Sequence, residues 1–225
     1  MQGMFNFTRP TMLRSLTLTL LLTILCGCFP RDQFWKKPDF GRKYTNLTEA
    51  AASPTPVRFI SLNAQPQPVF PVTLYAFQSL ERLSLRQTGL TVLPVEIIKL
   101  PKLLWLDLGA NQLTELPVTI GELPALTTLY LSDNRLAALP ATIGNLQTLR
   151  YLNLDRNSLA SLPSQIAGCR NLVWLRLNEN KLTALPQEVQ GLSNSLQRLY
   201  LRGNPLPTNE IQKIRQWLPK TQVIF

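Results

Sequence analysis

The 225-residue chain contains no histidine. That absence removes the commonest general base, the commonest metal ligand and any Ser-His-Asp arrangement from the available chemistry. Cysteine is sparse as well. Of the three, Cys26 and Cys28 lie near the N-terminus and Cys169 stands alone in the rest of the chain, so no intrachain disulfide is expected there. No glycine cluster has the form of a phosphate-cradling loop; Gly121, Gly144, Gly168 and Gly191 recur as turn or packing positions. One carboxylate pair, Asp107 and Asp155, merits consideration. In the strand reading below the two fall two strands apart, roughly 10 Å, on an open face. They read as solvated rim charges. No enzymatic activity, metal or cofactor is expected.

What the chain does have is repetition. The phrase Leu-x-x-Leu-x-Leu-x-x-Asn-x-Leu-x-x-Leu-Pro-x-x-Ile-x-x-Leu recurs every 23 residues, opening at Leu80, Leu103, Leu126, Leu149 and Leu172, then at Leu196 after one inserted residue. Within one unit, Leu129-Tyr130-Leu131 alternates apolar and polar, the period of a half-buried strand. Pro140 has no N–H and a fixed φ, which suits the first turn of a short helical segment. Ile143 and Leu146 follow at a helical step. Each repeat is thus a short strand, a turn and a tight helical return. A single unit cannot bury its own aliphatics, and stacking the units joins them into one continuous core. Cys169 occupies the slot of Leu100, Leu123, Leu146 and Leu192 and reads as a small buried hydrophobe.

Asn111, Asn134, Asn157, Asn180 and Asn204 hold one position per repeat, flanked by apolar residues. Buried amides need partners, so these form a ladder that satisfies turn backbone groups. Gln65 and Thr88 take the same slot in the first two repeats, which weakens the ladder there. A worn first copy begins at Val57 and uses Ile60, Leu62, Phe70, Pro71, Leu74 and Phe77. Asn46-Leu-Thr-Glu49 reads as a capping box opening a short helix that stops near Ser53-Pro54. Thr208 to Leu218 reads as an amphipathic helix ended by Pro219, with Trp217 in the cap core, and Gln222-Val223-Ile224-Phe225 as a closing strand.

This pattern resembles the leucine-rich repeat family in its 23-residue Leu-Pro-x-x-Ile form, over about three quarters of the chain. The resemblance implies an α/β solenoid: a curved horseshoe with a parallel sheet on the concave face and short helical or 3-10 segments on the convex face. It also implies a binding surface, since relatives of this form bind GTPases or host receptors.

The N-terminal segment is a second signal. Arg9 and Arg14 precede the apolar run Leu16–Leu25, too short to span a bilayer comfortably but suited to a signal-peptide core. The run ends in Leu25-Cys26-Gly27-Cys28, which resembles a bacterial lipobox with Cys28 as the lipidated residue. A plain secretory signal or an uncleaved anchor is the alternative, and Met12 is a second acceptable start. The domain reading is therefore a lipoprotein-type signal peptide over 1–27, a basic aromatic tether over 28–45 and a repeat domain of about seven repeats over 46–225. In the tether, Trp35, Phe40, Lys36, Lys37, Arg42 and Lys43 could instead meet a lipid surface. The resemblance places the protein outside the cytoplasm, anchored to a bacterial membrane. Phe29 after Cys28 points to the outer membrane, periplasmic or surface-facing. Asn46-Leu-Thr48 also forms a glycosylation sequon, to which a bacterial leader gives little weight. The net charge is +10, of which Arg9 and Arg14 supply two. The basic residues form no dense cluster, and the leader argues against a nucleic-acid partner.

Side chains alternate across a strand, so the third, fifth and seventh positions of each repeat line one face. The third positions are Phe59, Arg82, Trp105, Thr128, Tyr151, Trp174 and Arg198; the fifth are Ser61, Ser84, Asp107, Tyr130, Asn153, Arg176 and Tyr200. At ~4.8 Å between strands, Trp105, Tyr130, Tyr151, Trp174 and Tyr200 form a nearly continuous exposed aromatic band. Arg176, Arg198 and Arg202 flank it. Aromatics with arginine are the composition of interface hot spots. The expected function is a membrane-anchored protein-binding module. The alternatives are a structural or glycan-binding envelope lipoprotein, possible because Tyr and Trp also stack on sugars, or a contact with an anionic surface.

Overall fold

A computed structural model describes residues 41–225. The signal peptide, Cys28, Trp35 and Phe40 lie outside the described residues. Among those described, nine strands form one parallel sheet in strict chain order. They are β1 (Lys43–Tyr44), β2 (Phe59–Ser61), β3 (Arg82–Ser84), β4 (Trp105–Asp107), β5 (Thr128–Tyr130), β6 (Tyr151–Asn153), β7 (Trp174–Arg176), β8 (Arg198–Tyr200) and β9 (Gln222–Ile224). Register advances by one repeat per strand, so Leu83, Leu106, Leu129, Leu152, Leu175 and Leu199 form one row. All six are buried. Rows of this kind merge into one apolar core running the length of the solenoid, each aliphatic worth about 1.5–3 kcal/mol when fully buried. Cys169 lies in it as expected, fully buried, with Sγ 3.1 Å from the Ile143 carbonyl. Burial pushes its thiol up to about 12.

The asparagine ladder forms as the spacing predicts. Asn134 shows the unit: its Nδ2 donates to the Leu131 carbonyl of its own repeat (3.0 Å) and to Leu108 of the preceding one (3.0 Å), and its Oδ1 accepts from Leu113 N–H (3.0 Å). Asn111, Asn157, Asn180 and Asn204 repeat the arrangement. One amide therefore pairs three backbone groups at the bend after each strand and ties two repeats together. The ladder fades N-terminally, as expected. Thr88 reaches only its own Leu85 carbonyl and the Asn111 side chain, and Gln65 turns outward to donate to Thr45.

The residue before each rung adopts a left-handed conformation. Ala64, Gln87, Ala110, Asp133, Arg156 and Glu179 have φ of 54–60°, a region that costs an L-residue roughly 1–2 kcal/mol. In every one of them the backbone N–H donates to a carbonyl of the next repeat, as in Ala110 to Ser132 and Asp133 to Asp155. That bond carries strand pairing around the corner and offsets the strain.

On the convex side each repeat forms one short 3-10 segment, from Val72–Ala76 to Gln187–Leu192. Each Leu-Pro proline sits at the N-cap with extended backbone, one residue earlier than a first-turn proline. The segments stack closely: a Cβ on Gly144 would meet the Gln165 carbonyl oxygen at 2.0 Å, and one on Gly121 the Thr142 oxygen at 2.1 Å. These are packing glycines, as read.

At the N-terminal end, helix α1 (Leu47–Ala51) is capped by the Asn46 side chain accepting from Thr48 N–H at 2.7 Å. Glu49 turns to Arg42 and makes no reciprocal capping bond. The stretch read as tether ends as structure: Lys43–Tyr44 pairs with β2, and Tyr44 is buried with its hydroxyl 2.7 Å from Ser53 Oγ. A chain of two residues suffices because the exposed edge of β2 needs a partner. At the other end helix α2 (Thr208–Trp217) packs Ile214 onto the core, its C-cap Leu218 joins it there, and β9 closes the sheet.

Removing Asn157 leaves the Leu136 N–H without its partner, at about 1–3 kcal/mol where buried, while the Leu131 and Leu154 carbonyls keep Asn134 and Asn180 as donors. Asn157→Ala should lower the urea-unfolding free energy by about 1–3 kcal/mol. Asn204→Ala, at a half-buried rung, should cost distinctly less.

Candidate functional site

The sheet register brings the sequence-selected residues onto one wall. Phe59, Arg82, Trp105, Thr128, Tyr151, Trp174 and Arg198 form one row across the strands. Ser61, Ser84, Asp107, Tyr130, Asn153, Arg176 and Tyr200 form the next. Arg202 follows β8 and is exposed.

The aromatics do not form the continuous exposed band expected from their spacing. They pack as two edge-to-face pairs: Trp105 with Tyr130 at 5.6 Å between ring centroids, and Tyr151 with Trp174 at 5.4 Å. Edge-to-face geometry follows from the ring quadrupole. Thr128, small and buried, separates Trp105 from Tyr151 along their row. Trp105 is only 9% exposed, and its Nε1–H is buried without a hydrogen-bond partner among the described residues. It belongs to the wall's substance more than to its surface. Tyr130, Tyr151, Trp174 and Tyr200 are half-buried.

Arginines cover the ring faces. The Arg82 guanidinium lies 4.0 Å from the Trp105 ring centroid and 4.7 Å from Phe59, Arg198 lies 5.2 Å from Trp174, and Arg176 lies 5.0 Å from Tyr200. These are cation–π contacts. Burial lowers the Arg82 pKa. Arg82 and Arg86 were not among the expected site residues. Their signal was present, since Arg82 stands one repeat before Trp105 in register. Arg86 crosses the gap left by Gly109, whose added Cβ would meet Arg86 Nη1 at 2.1 Å, and pairs with Asp133 at 3.5 Å.

The carboxylates differ from expectation. Asp155 is 2% exposed, accepting from Arg176 Nε (2.7 Å) and from Asn178 N–H (2.8 Å). Asp107 is buried too and accepts from Gly109 N–H at 2.9 Å. Neither is a solvated rim charge, because each caps backbone N–H groups where the strands end. Burial pushes the Asp107 carboxyl above its ordinary value, opposed by the Gly109 N–H and by Arg86. Asp133 moves the other way, held low by Arg156. The wall holds its arginine–carboxylate pairs in structural use. Among the described residues no group of acidic or cysteine side chains is placed to hold a metal ion, and no helix is long and apolar enough to cross a membrane.

A second exposed surface was not anticipated. Val69 and Val92 form one column, and Val72, Val95 and Val118 another, all more than half exposed. Val69, Val72 and Val92 line, with Pro68, Phe70 and Tyr75, a groove of about 540 Å³ on the flank of the first repeats. The same slots hold Glu115, Ala138, Ser161 and Ala184, and Ala141, Ser164 and Gln187, in later repeats. Column-by-column comparison would have exposed this switch.

A family profile described as leucine rich repeat matches residues 78–136 and 147–206, more than half of the chain. With the parallel sheet and the asparagine ladder in place, the chain belongs to the leucine-rich repeat family. Among solved structures it is similar to a leucine-rich repeat protein of Leptospira interrogans, with 38% identity and a TM-score of 0.73, over 75% of this chain and 43% of that one. It is also similar to the plant peptide hormone receptor RGFR1 in complex with RGF2, at 29% identity and TM-score 0.60, over 76% of this chain and 28% of the receptor. The PEPR1–AtPEP1 structure matches at 29% identity and TM-score 0.58, over 68% and 22%. This chain thus spans less than half the length of each. No curated protein matches it.

The Asp107 shift has a fixed sign. A carboxyl whose folded pKa is raised contributes stability below its unfolded pKa and loses it as pH rises through the folded value. Asp107→Asn keeps an oxygen for Gly109 and removes the buried charge. It should raise the melting temperature at neutral pH, and the gain should vanish below the usual carboxylate range.

Proposed function

We propose that this protein is an exported, lipid-anchored recognition module of a bacterial envelope that binds a protein partner on its concave wall and performs no chemistry. The lipobox-like Leu25-Cys26-Gly27-Cys28 supports the anchor, with acylation of Cys28 holding the solenoid at a membrane without spanning it. Phe29 supports an outer-membrane destination. The observation that carries the binding reading is the composition of the wall. Half-buried Tyr130, Tyr151, Trp174 and Tyr200 share one sheet, with Trp174 and Tyr200 paired in register with Arg198 and Arg176, and such residues supply most interface energy. The complexes of RGFR1 with RGF2 and of PEPR1 with AtPEP1, which share this fold, support a binding role. A parallel sheet locked by a buried ladder loses little freedom on binding, which favours affinity.

Two measurements test the reading together. Mass spectrometry of the mature protein from its host should find a diacylglyceryl Cys28 at the N-terminus, and an intact Met1 in a soluble pool would overturn the anchor. A photo-crosslinking residue at Tyr200 should give a discrete protein adduct in intact cells, absent when placed at Lys181 outside the wall. Adducts of equal yield at both positions would overturn the concave-face assignment.

A further inference from the structure

The wall's charges are not used evenly. Its carboxylates are occupied within the chain: Asp155 by Arg176 and a backbone N–H, Asp133 by Arg156 and Arg86, and Asp107 by Gly109. Asp107 and Asp155 are also buried, so neither is offered to a partner. The arginines are different. Arg198 and Arg202 make no ion pair among the described residues. Arg198 rests its guanidinium on Trp174, and the Arg202 side chain is exposed. The two stand four residues apart, about 13 Å in extended chain, on either side of Tyr200. Arg176, paired to Tyr200 in register, gives its Nε–H to Asp155 and keeps four of a guanidinium's five donors. Three guanidinium groups thus surround one tyrosine at the C-terminal end of the wall; Asp155 holds one of them, and exposed Glu179, beside Gly203, makes no ion pair with the other two among the described residues.

We infer that this end of the wall, Arg176, Arg198 and Arg202 around Tyr200, docks an acidic polypeptide segment whose carboxylates take the guanidinium donors while its backbone runs past the exposed edges of Tyr200 and Trp174. The inference rests on the protein-recognition reading above and names its partner's chemistry. Charge complementarity selects the sign, and guanidinium geometry matches carboxylates bidentately. Ring accessibility selects polypeptide over polysaccharide. A sugar needs an open aromatic face, and the faces of Trp105, Trp174 and Tyr200 are each covered by an arginine. An acidic side chain needs no such face, because it meets the guanidinium at its edge.

The probe is an oligo-glutamate peptide, titrated onto the purified full-length protein by calorimetry and tryptophan fluorescence, with polygalacturonate and inorganic phosphate as parallel arms. The Arg198→Gln/Arg202→Gln pair should weaken oligo-glutamate binding by about tenfold or more with circular dichroism and melting temperature unchanged. Arg135→Gln/Arg170→Gln removes the same charge from exposed positions outside the wall and should change affinity little. High salt should abolish binding to the wild type. Equal losses in the two double variants, no oligo-glutamate binding at all, or tighter binding of polygalacturonate or phosphate would each overturn the inference. The two readings fail separately. A Tyr200 protein adduct that persists while oligo-glutamate does not bind removes the acidic partner and leaves protein recognition standing.

Discussion

Everything on the concave wall depends on how the chain turns the corner after each strand. A three-residue strand gives too little pairing to fix a surface, and the turn that follows leaves backbone groups inside an apolar core. One buried amide per repeat resolves both difficulties, joining two carbonyls and an N–H of consecutive turns. The left-handed residue before it adds a further inter-repeat bond. These bonds repeat at one register, so the strands cannot slip relative to one another without breaking every rung. The wall's side chains are therefore placed by the ladder, and their spacing follows from the length of the repeat.

On that frame the surface chemistry is set by who covers whom. Trp105 and Tyr130 form the floor of the N-terminal half under Arg82; Tyr151 and Trp174 form the floor of the C-terminal half beside Arg198. Buried Asp107 and Asp155 serve the turns. The wall is left with aromatic mass that is half-hidden and positive charge that is not neutralised, a composition suited to recognition. Desolvated carboxylates in other proteins often mark catalysis. Here each accepts a backbone N–H at a strand end, and the hydroxyl beside Asp107, Ser84, is buried and donates to Asn63.

Much of this was legible in the chain. The period located the strands, and Leu106, Leu129, Leu152 and Leu175 fell into one buried row as their spacing required. The asparagines were readable because a polar residue recurring among leucines has to be paired. Other features were hidden for physical reasons. Ala110, Asp133, Arg156 and Glu179 share a left-handed backbone but no side-chain chemistry, since the backbone bond alone holds them there. The exposure of Trp105 could not be read from alternation, which says which way a side chain points and not what lies over it; Arg82 lies over it. Asp107 and Asp155 looked like rim charges because the backbone N–H groups each of them caps are invisible in a residue pattern, and Arg176, the side-chain partner of Asp155, stood among the residues expected to face a ligand. The valine columns at Val69/Val92 and Val72/Val95/Val118 were visible but masked by a repeat consensus that averages over positions free to vary.

The account stands on the ladder holding the wall as one rigid piece, and native-state hydrogen exchange tests that most directly. The N–H groups of Leu113, Leu136 and Leu159, each received by an asparagine of the next repeat, should exchange in the slowest class, together with the central strand amides and at the free energy of global unfolding. Exchange of those three as fast as the amides of the short N-terminal helix α1 would contradict it. The turns would then open independently, and the concave wall would not be a fixed surface.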